Sequence, residues 1–170
     1  MNKLFLPLIG ISLACILVGC SDEGVTEGMI NGMPIRFTDE NVQAVQGIPT
    51  NVANPNASYA LMPGVMPPQS LSIIIGDNYN AKRFRQRLSI YVFDVAAVFN
   101  DPRQYVPYTI SAVLEFVADG EVQSYYATAG EIIFNDIGIL NGERVDGEFN
   151  VIFGTMGSLY GSFYTRIGLK

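Results

Sequence analysis

Histidine and tryptophan are absent from the 170 residues, cysteine occurs twice, and only 15% of the chain is charged. Without imidazole the chain lacks the usual general base near neutral pH and the commonest metal ligand. Histidine-dependent triads and histidine-containing zinc sites are therefore excluded. Positive charge is scarce as well: 10 basic against 16 acidic side chains give −6. That balance argues against a nucleic-acid partner, which needs a surface that neutralises phosphates. No Gly-x-Ser-x-Gly, phosphate loop or EF-hand loop occurs, so no motif nominates a catalytic residue, a cofactor or a metal. The length is that of one domain with a core of its own.

Lys3 is the only charged side chain among the first twenty-one residues, and an apolar run from Leu4 to Gly19 follows it. The run is shorter than the roughly 20 apolar residues of a membrane span. A basic start, an apolar stretch and then small residues form the pattern of a secretory signal. The stretch ends Leu17-Val18-Gly19-Cys20. This tetrapeptide resembles the lipobox of bacterial lipoproteins: leucine three residues before cysteine, a short apolar residue, then glycine or alanine. Cys15 does not fit, because Ser12 stands at the leucine position.

The resemblance implies cleavage after Gly19, a thioether-linked diacylglycerol on Cys20, and acylation (palmitate or a similar chain) of the new amino terminus. The membrane would then be a partner through the lipid, at ~0.8 kcal/mol per buried CH₂. With Cys15 removed and Cys20 alkylated, no disulfide, catalytic cysteine or cysteine metal site remains. Removing 19 of the 170 residues leaves 151, and the loss of Lys3 takes the net charge from −6 to −7. Residues 20–28 read as the lipidated terminus and a short polar tether. Ser21, rather than aspartate, follows Cys20. In lipoproteins of diderm bacteria that choice goes with export to the outer membrane, so the resemblance implies a lipid-anchored protein on the exported side.

Residues 29–170 read as a single all-β domain. Short runs of Ile, Val, Phe, Tyr and Thr alternate with Gly, Asn, Asp and Pro. Asn31-Gly32 predicts a tight hairpin. Strands are expected over Leu71–Ile75, Arg85–Phe93, Thr109–Val117, Glu121–Thr128 and Glu131–Asn135, and Asn141-Gly142 predicts a further turn. From Arg144 to Phe153 the pattern has period two, with Val145, Gly147, Phe149, Val151 and Phe153 inward and Arg144, Asp146, Glu148 and Asn150 outward. Leu159, Gly161, Phe163, Thr165 and Ile167 repeat it. Leu88, Ile90 and Val92 alternate with Ser89, Tyr91 and Phe93, so this strand belongs in the middle of a sheet. Asp94 caps one or two helical turns that end at Asp101-Pro102. Residues 41–70, with five prolines, read as irregular apart from an extended Ser58–Met62.

The expected architecture is an antiparallel β-sandwich, with a small lipocalin-like barrel as the alternative. Gly147-Glu148-Phe149 and Gly161-Ser162-Phe163 open successive strands. These starts resemble those of small bacterial β-sandwich lipoproteins of unknown function, which implies a fold and no activity.

Several groups invite a functional reading. Arg83, Arg85 and Arg87 share one strand face and suit phosphate or carboxylate groups. They equally suit an edge strand made soluble by charge, opposite Glu148 and Asp146. Met29 with Met33, and Met62 with Met66, have a spacing that suits Cu(I), and methionine also fills gaps in cores. Tyr125, Tyr126, Tyr160 and Tyr164 suggest either a sugar-stacking platform or ordinary strand aromatics. Asp119, Glu121, Asp146 and Glu148 sit where solubilising charge belongs, and paired carboxylates of a hydrolase are the contrary reading. The expectation is a non-enzymatic binding or assembly module of the envelope with a protein or glycan partner, no cofactor and no metal. The alternative is a barrel that carries a small apolar ligand.

Overall fold

A computed structural model describes residues 23–39, 42–48, 69–76, 86–118 and 121–168. The signal segment 1–19, Cys20, Arg83, Arg85, Asp119, Met62, Met66 and the extended stretch Ser58–Met62 lie outside the described residues. Among the described residues, eleven strands form two antiparallel sheets packed face to face, a β-sandwich, and one short helix links one sheet to the other. In chain order they are β1 (Glu23–Ile30), β2 (Met33–Asp39), β3 (Val42–Gln46), β4 (Leu71–Gly76), β5 (Gln86–Val92), α1 (Val95–Asn100), β6 (Arg103–Val106), β7 (Ile110–Ala118), β8 (Glu121–Tyr126), β9 (Ala129–Ile137), β10 (Arg144–Ile152) and β11 (Gly157–Arg166). Sheet A has the order β2-β1-β11-β10-β9-β6, and sheet B the order β3-β4-β5-β7-β8. The sheets do not close into a barrel; a lone parallel bridge, Ala44 to Ile167, touches across one corner.

The local signals act where they stand. Asn31 and Gly32 both take positive φ (51° and 74°), the pair of left-handed residues that a two-residue hairpin demands. Asp94 accepts hydrogen bonds from the N–H groups of Ala96 and Ala97 (3.0 and 3.3 Å) and starts α1. On β10 and β11 the expected inward residues line the core: Val145, Phe149, Val151, Phe153, Leu159, Phe163, Thr165 and Ile167 are all buried. β5 is central in sheet B and buried on both faces: Ser89 and Tyr91 face away from the inter-sheet core, yet are as inaccessible as Leu88 and Ile90.

The two Gly-x-Phe sequences do not open strands as expected: they lie inside β10 and β11, which begin earlier at Arg144 and Gly157, and their glycines have a packing role there. In the β10–β11 register Gly147 faces Phe163 and Phe149 faces Gly161. A Cβ on Gly147 would stand 2.9 Å from Phe163 Cζ, and one on Gly161 would stand 2.9 Å from Phe149 Cζ. Each ring therefore lies across the glycine of the opposite strand. The two rings fill the space beside these glycines, and Phe134 packs edge-on against Phe163 at 5.8 Å.

Three expectations need correction. Residues 23–28 are not tether; they belong to β1, held between β2 and β11. Glu and Gly carry little strand preference, and hydrogen bonding to two neighbours overrides it. The irregular segment 41–70 contains β3, which pairs with β4. The barrel alternative fails because the chain forms two separate sheets.

Candidate functional site

The two outward faces differ. On sheet B, Ser72, Ile74, Ser89, Tyr91 and Val113 point away from the core and are buried, and Ile48 packs on Tyr91, Phe93 and Val113. On sheet A the outward side chains are mostly open to solvent. Strand register aligns six of them in one row, one from every strand: Arg36, Glu27, Tyr160, Asn150, Glu131 and Tyr105. Six strands at the usual spacing make the row about 24 Å long.

Neighbours hold the row in place. Arg36 Nε lies 3.1 Å from Glu27 Oε1, and the Tyr160 hydroxyl donates to Glu27 Oε2 at 3.3 Å. At the other end Arg103 Nη1 donates to Glu131 Oε2 at 3.1 Å. Tyr160 and Tyr105 remain about half exposed, at 53% and 47%. Three strand spacings separate them, about 14 Å. Each glutamate of the row already has an arginine beside it. What the row offers is two ring faces with hydrogen-bonding groups between them, a surface for contact with a flat polar ligand.

Four residues before Asn150, β10 carries a buried charge. Asp146 is only 5% exposed, against the expectation of an outward solubilising residue. The Arg144 side chain covers it, paired with Oδ2, while the guanidinium stacks over the Tyr164 ring at 4.9 Å. The hydrogen bond that Arg144 donates to Asp146 holds the guanidinium above its already high ordinary pKa. Asp146 Oδ1 is buried with no protein hydrogen-bond partner among the described residues. The register shift between Asp146 and Gly147 turns the strand here. An asymmetry follows: Arg144→Ala strands a buried carboxylate, whereas Asp146→Ala leaves an arginine that can turn to water. In thermal melts the first variant is expected to lose more stability than the second; equal losses would contradict this arrangement.

The residues singled out in the sequence do not meet. Of the arginine stripe, Arg87 is described, and its Nε donates to Glu115 Oε2 at 2.6 Å on neighbouring β7. Its carboxylate partner is thus Glu115 in sheet B, rather than Glu148 or Asp146 of sheet A. Met29 and Met33 register with Pro34 and Ile30 respectively, which puts them on opposite faces of their hairpin. Tyr160 and Tyr164 share the outer face of sheet A, but Tyr125 stacks on Phe116 (5.2 Å) and Tyr126 stands beside it on β8 of sheet B. Glu121 is likewise on β8, away from Asp146 and Glu148. Among the described residues no three acidic side chains converge as metal ligands.

Sequence reasoning missed Tyr105, Asn150, Glu27 and Glu131 as partners of Tyr160. β6 is only four residues long and carries no periodic signal. No family model, curated protein or solved structure matches the chain.

Proposed function

We propose that the chain is a lipid-anchored cell-envelope protein, non-enzymatic, whose β-sandwich displays the open face of sheet A to a protein or glycan partner. The observation that carries the anchoring is the tetrapeptide Leu17-Val18-Gly19-Cys20 behind a basic and apolar leader, three residues before Glu23 of β1. Ser21 after the cysteine supports an outer-membrane location in a diderm source. The binding role rests on the row from Arg36 to Tyr105, an ordered line of polar and aromatic groups left open to solvent. Exposed aromatic rings among satisfied charges suit a polar contact surface. Two sheets that do not close into a barrel, and the rings of Phe149 and Phe163 beside Gly161 and Gly147, support this reading over that of a carrier.

The test is photo-crosslinking of the full lipidated protein in its own cells. A photoreactive side chain at Asn150, in the middle of the row, is expected to give a discrete adduct with protein or glycan. Combining it with Tyr160→Ala and Tyr105→Ala is expected to lower the yield several-fold. An adduct that forms equally without the two rings, or forms only from positions on sheet B, would refute the proposed face.

A further inference from the structure

We propose that the end of the sandwich carrying the turn 139–143 docks on the lipid surface to which Cys20 is tied, with Leu140 as the leading residue; this rests on the anchored reading above. Cys20 precedes Glu23 by three residues. Whatever path the chain takes, the attachment point stands within about 10 Å of the first strand residue. Glu23 faces Tyr164 across an antiparallel pair. The line of β1 traced backward therefore runs the same way as β11 traced forward, past Arg166 to Ile167. The turn sits at that end: Gly142 N–H donates to Ile167 O at 2.8 Å, and Ile167 N–H donates to Glu143 O at 3.0 Å.

This end presents apolar side chains to solvent. Leu140, first residue of the turn closed by the Glu143 N–H donating to its carbonyl, is 56% exposed. Val45 is exposed beside Gln46, whose Nε2 donates to Ile139 O at 2.6 Å. The first residue of α1, Val95, lines a cleft of about 260 Å³ together with Gln46, Gln69 and Ile139. Scattered surface leucines need no explanation, but Leu140 and Val45 both stand at the end nearest a lipid attachment and fit an interfacial contact.

The turn is built to hold Leu140 outward. The Glu143 carboxylate accepts the N–H groups of Ile139 and Leu140 at 2.7 and 2.9 Å, and these bonds hold its pKa below the ordinary value. Arg166 Nη1 donates to Gly142 O at 2.9 Å, and the guanidinium has no carboxylate partner among the described residues. It is placed to meet a headgroup phosphate as Leu140 enters the interface. Met29 and Met33, exposed at the other end of β1, stand a strand length away, roughly 25 Å. The short link from Cys20 does not bring them to the bilayer.

The mature protein offers a convenient probe. Cys15 leaves with the signal and Cys20 is alkylated, so a Leu140→Cys variant of the full lipidated protein carries a single reactive thiol. It would be labelled with a polarity-sensitive fluorophore and placed in vesicles of phosphatidylethanolamine and phosphatidylglycerol. Met33→Cys serves as the distant control, and Asn141→Cys as a second reporter if the first variant folds poorly. The expected result is a blue-shifted emission and several-fold stronger quenching by lipid-borne spin labels at positions 140 or 141 than at 33. Vesicle-bound protein whose labels are equally wet at both ends would overturn the docking while leaving the anchor intact. Protein that fails to float with the vesicles would overturn the anchored reading, and the docking with it.

Discussion

Gly161→Ala is expected to unfold the domain or to lower its stability by at least about 3 kcal/mol, the upper range of overpacking costs. A Cβ at Gly161 would lie 1.7 Å from Val25 O on β1 and 2.9 Å from Phe149 Cζ on β10. The first contact is with backbone, which cannot move aside without parting β1 from β11. Those strands register over the whole length of β1, Glu23 to Ile30. The damage therefore passes into the centre of sheet A. For a chain of this size such a loss corresponds to a melting midpoint lower by roughly 10 °C. Circular dichroism melts of the variant and the parent measure it. Gly142→Ala provides the contrast in space, since nothing lies within 4 Å of a Cβ there, although its positive φ of 87° adds a smaller backbone strain. Equal stability of Gly161→Ala and the parent would mean that β1 does not lie against β11 as described.

The second large effect concerns the ion pair in sheet B. Arg87 and Glu115 are directly opposed on β5 and β7, and their side chains keep 11% and 15% of their surface exposed. Little water reaches either group. Glu115→Leu leaves the guanidinium largely desolvated beside an apolar side chain, at a cost of about 3 kcal/mol, the low end for buried pairs because some exposure remains. The double variant Arg87→Met with Glu115→Leu removes both charges and keeps the volume, and is expected to recover most of that loss. Chemical denaturation of the two single variants and the double variant gives the coupling energy. Strictly additive losses would show that the two side chains do not interact.

Arg87 also illustrates what the sequence withholds. Alternation along Lys82–Leu88 sorts the arginines onto one strand face, but it does not say which strand lies alongside. Glu115, 28 residues later, supplies the partner carboxylate. Features that depend on neighbours in sequence were legible: the Asn31-Gly32 hairpin, the Asp94 cap, and the period-two pattern of β10 and β11. Glu23–Gly28 was not, because its strand character comes from β2 and β11 on either side rather than from its own residues. Asp146 was read as exposed because its burial depends on Arg144 folding over it and on Tyr164 across the strand pair. The row from Arg36 to Tyr105 draws one residue from each of six strands, so only sheet order and register assemble it. The Gly-x-Phe sequences were visible as a motif but read as strand starts; their mid-strand position and reciprocal packing follow only from the alignment of β10 with β11.

The sequence motif and the fold meet at one residue. Cys20 lies three positions before β1, and both the proposed location of the protein and its orientation on the bilayer depend on what is attached there. The most direct measurement is mass spectrometry of the amino-terminal peptide from protein extracted out of the membrane fraction, alongside fractionation of a Cys20→Ala variant. The expected result is a peptide that begins at Cys20 and carries a diacylglycerol, with or without a further acyl chain, and a variant that no longer partitions with membranes. A peptide that begins at Met1, an unmodified Cys20, or a variant that stays with the membrane as the parent does would contradict it.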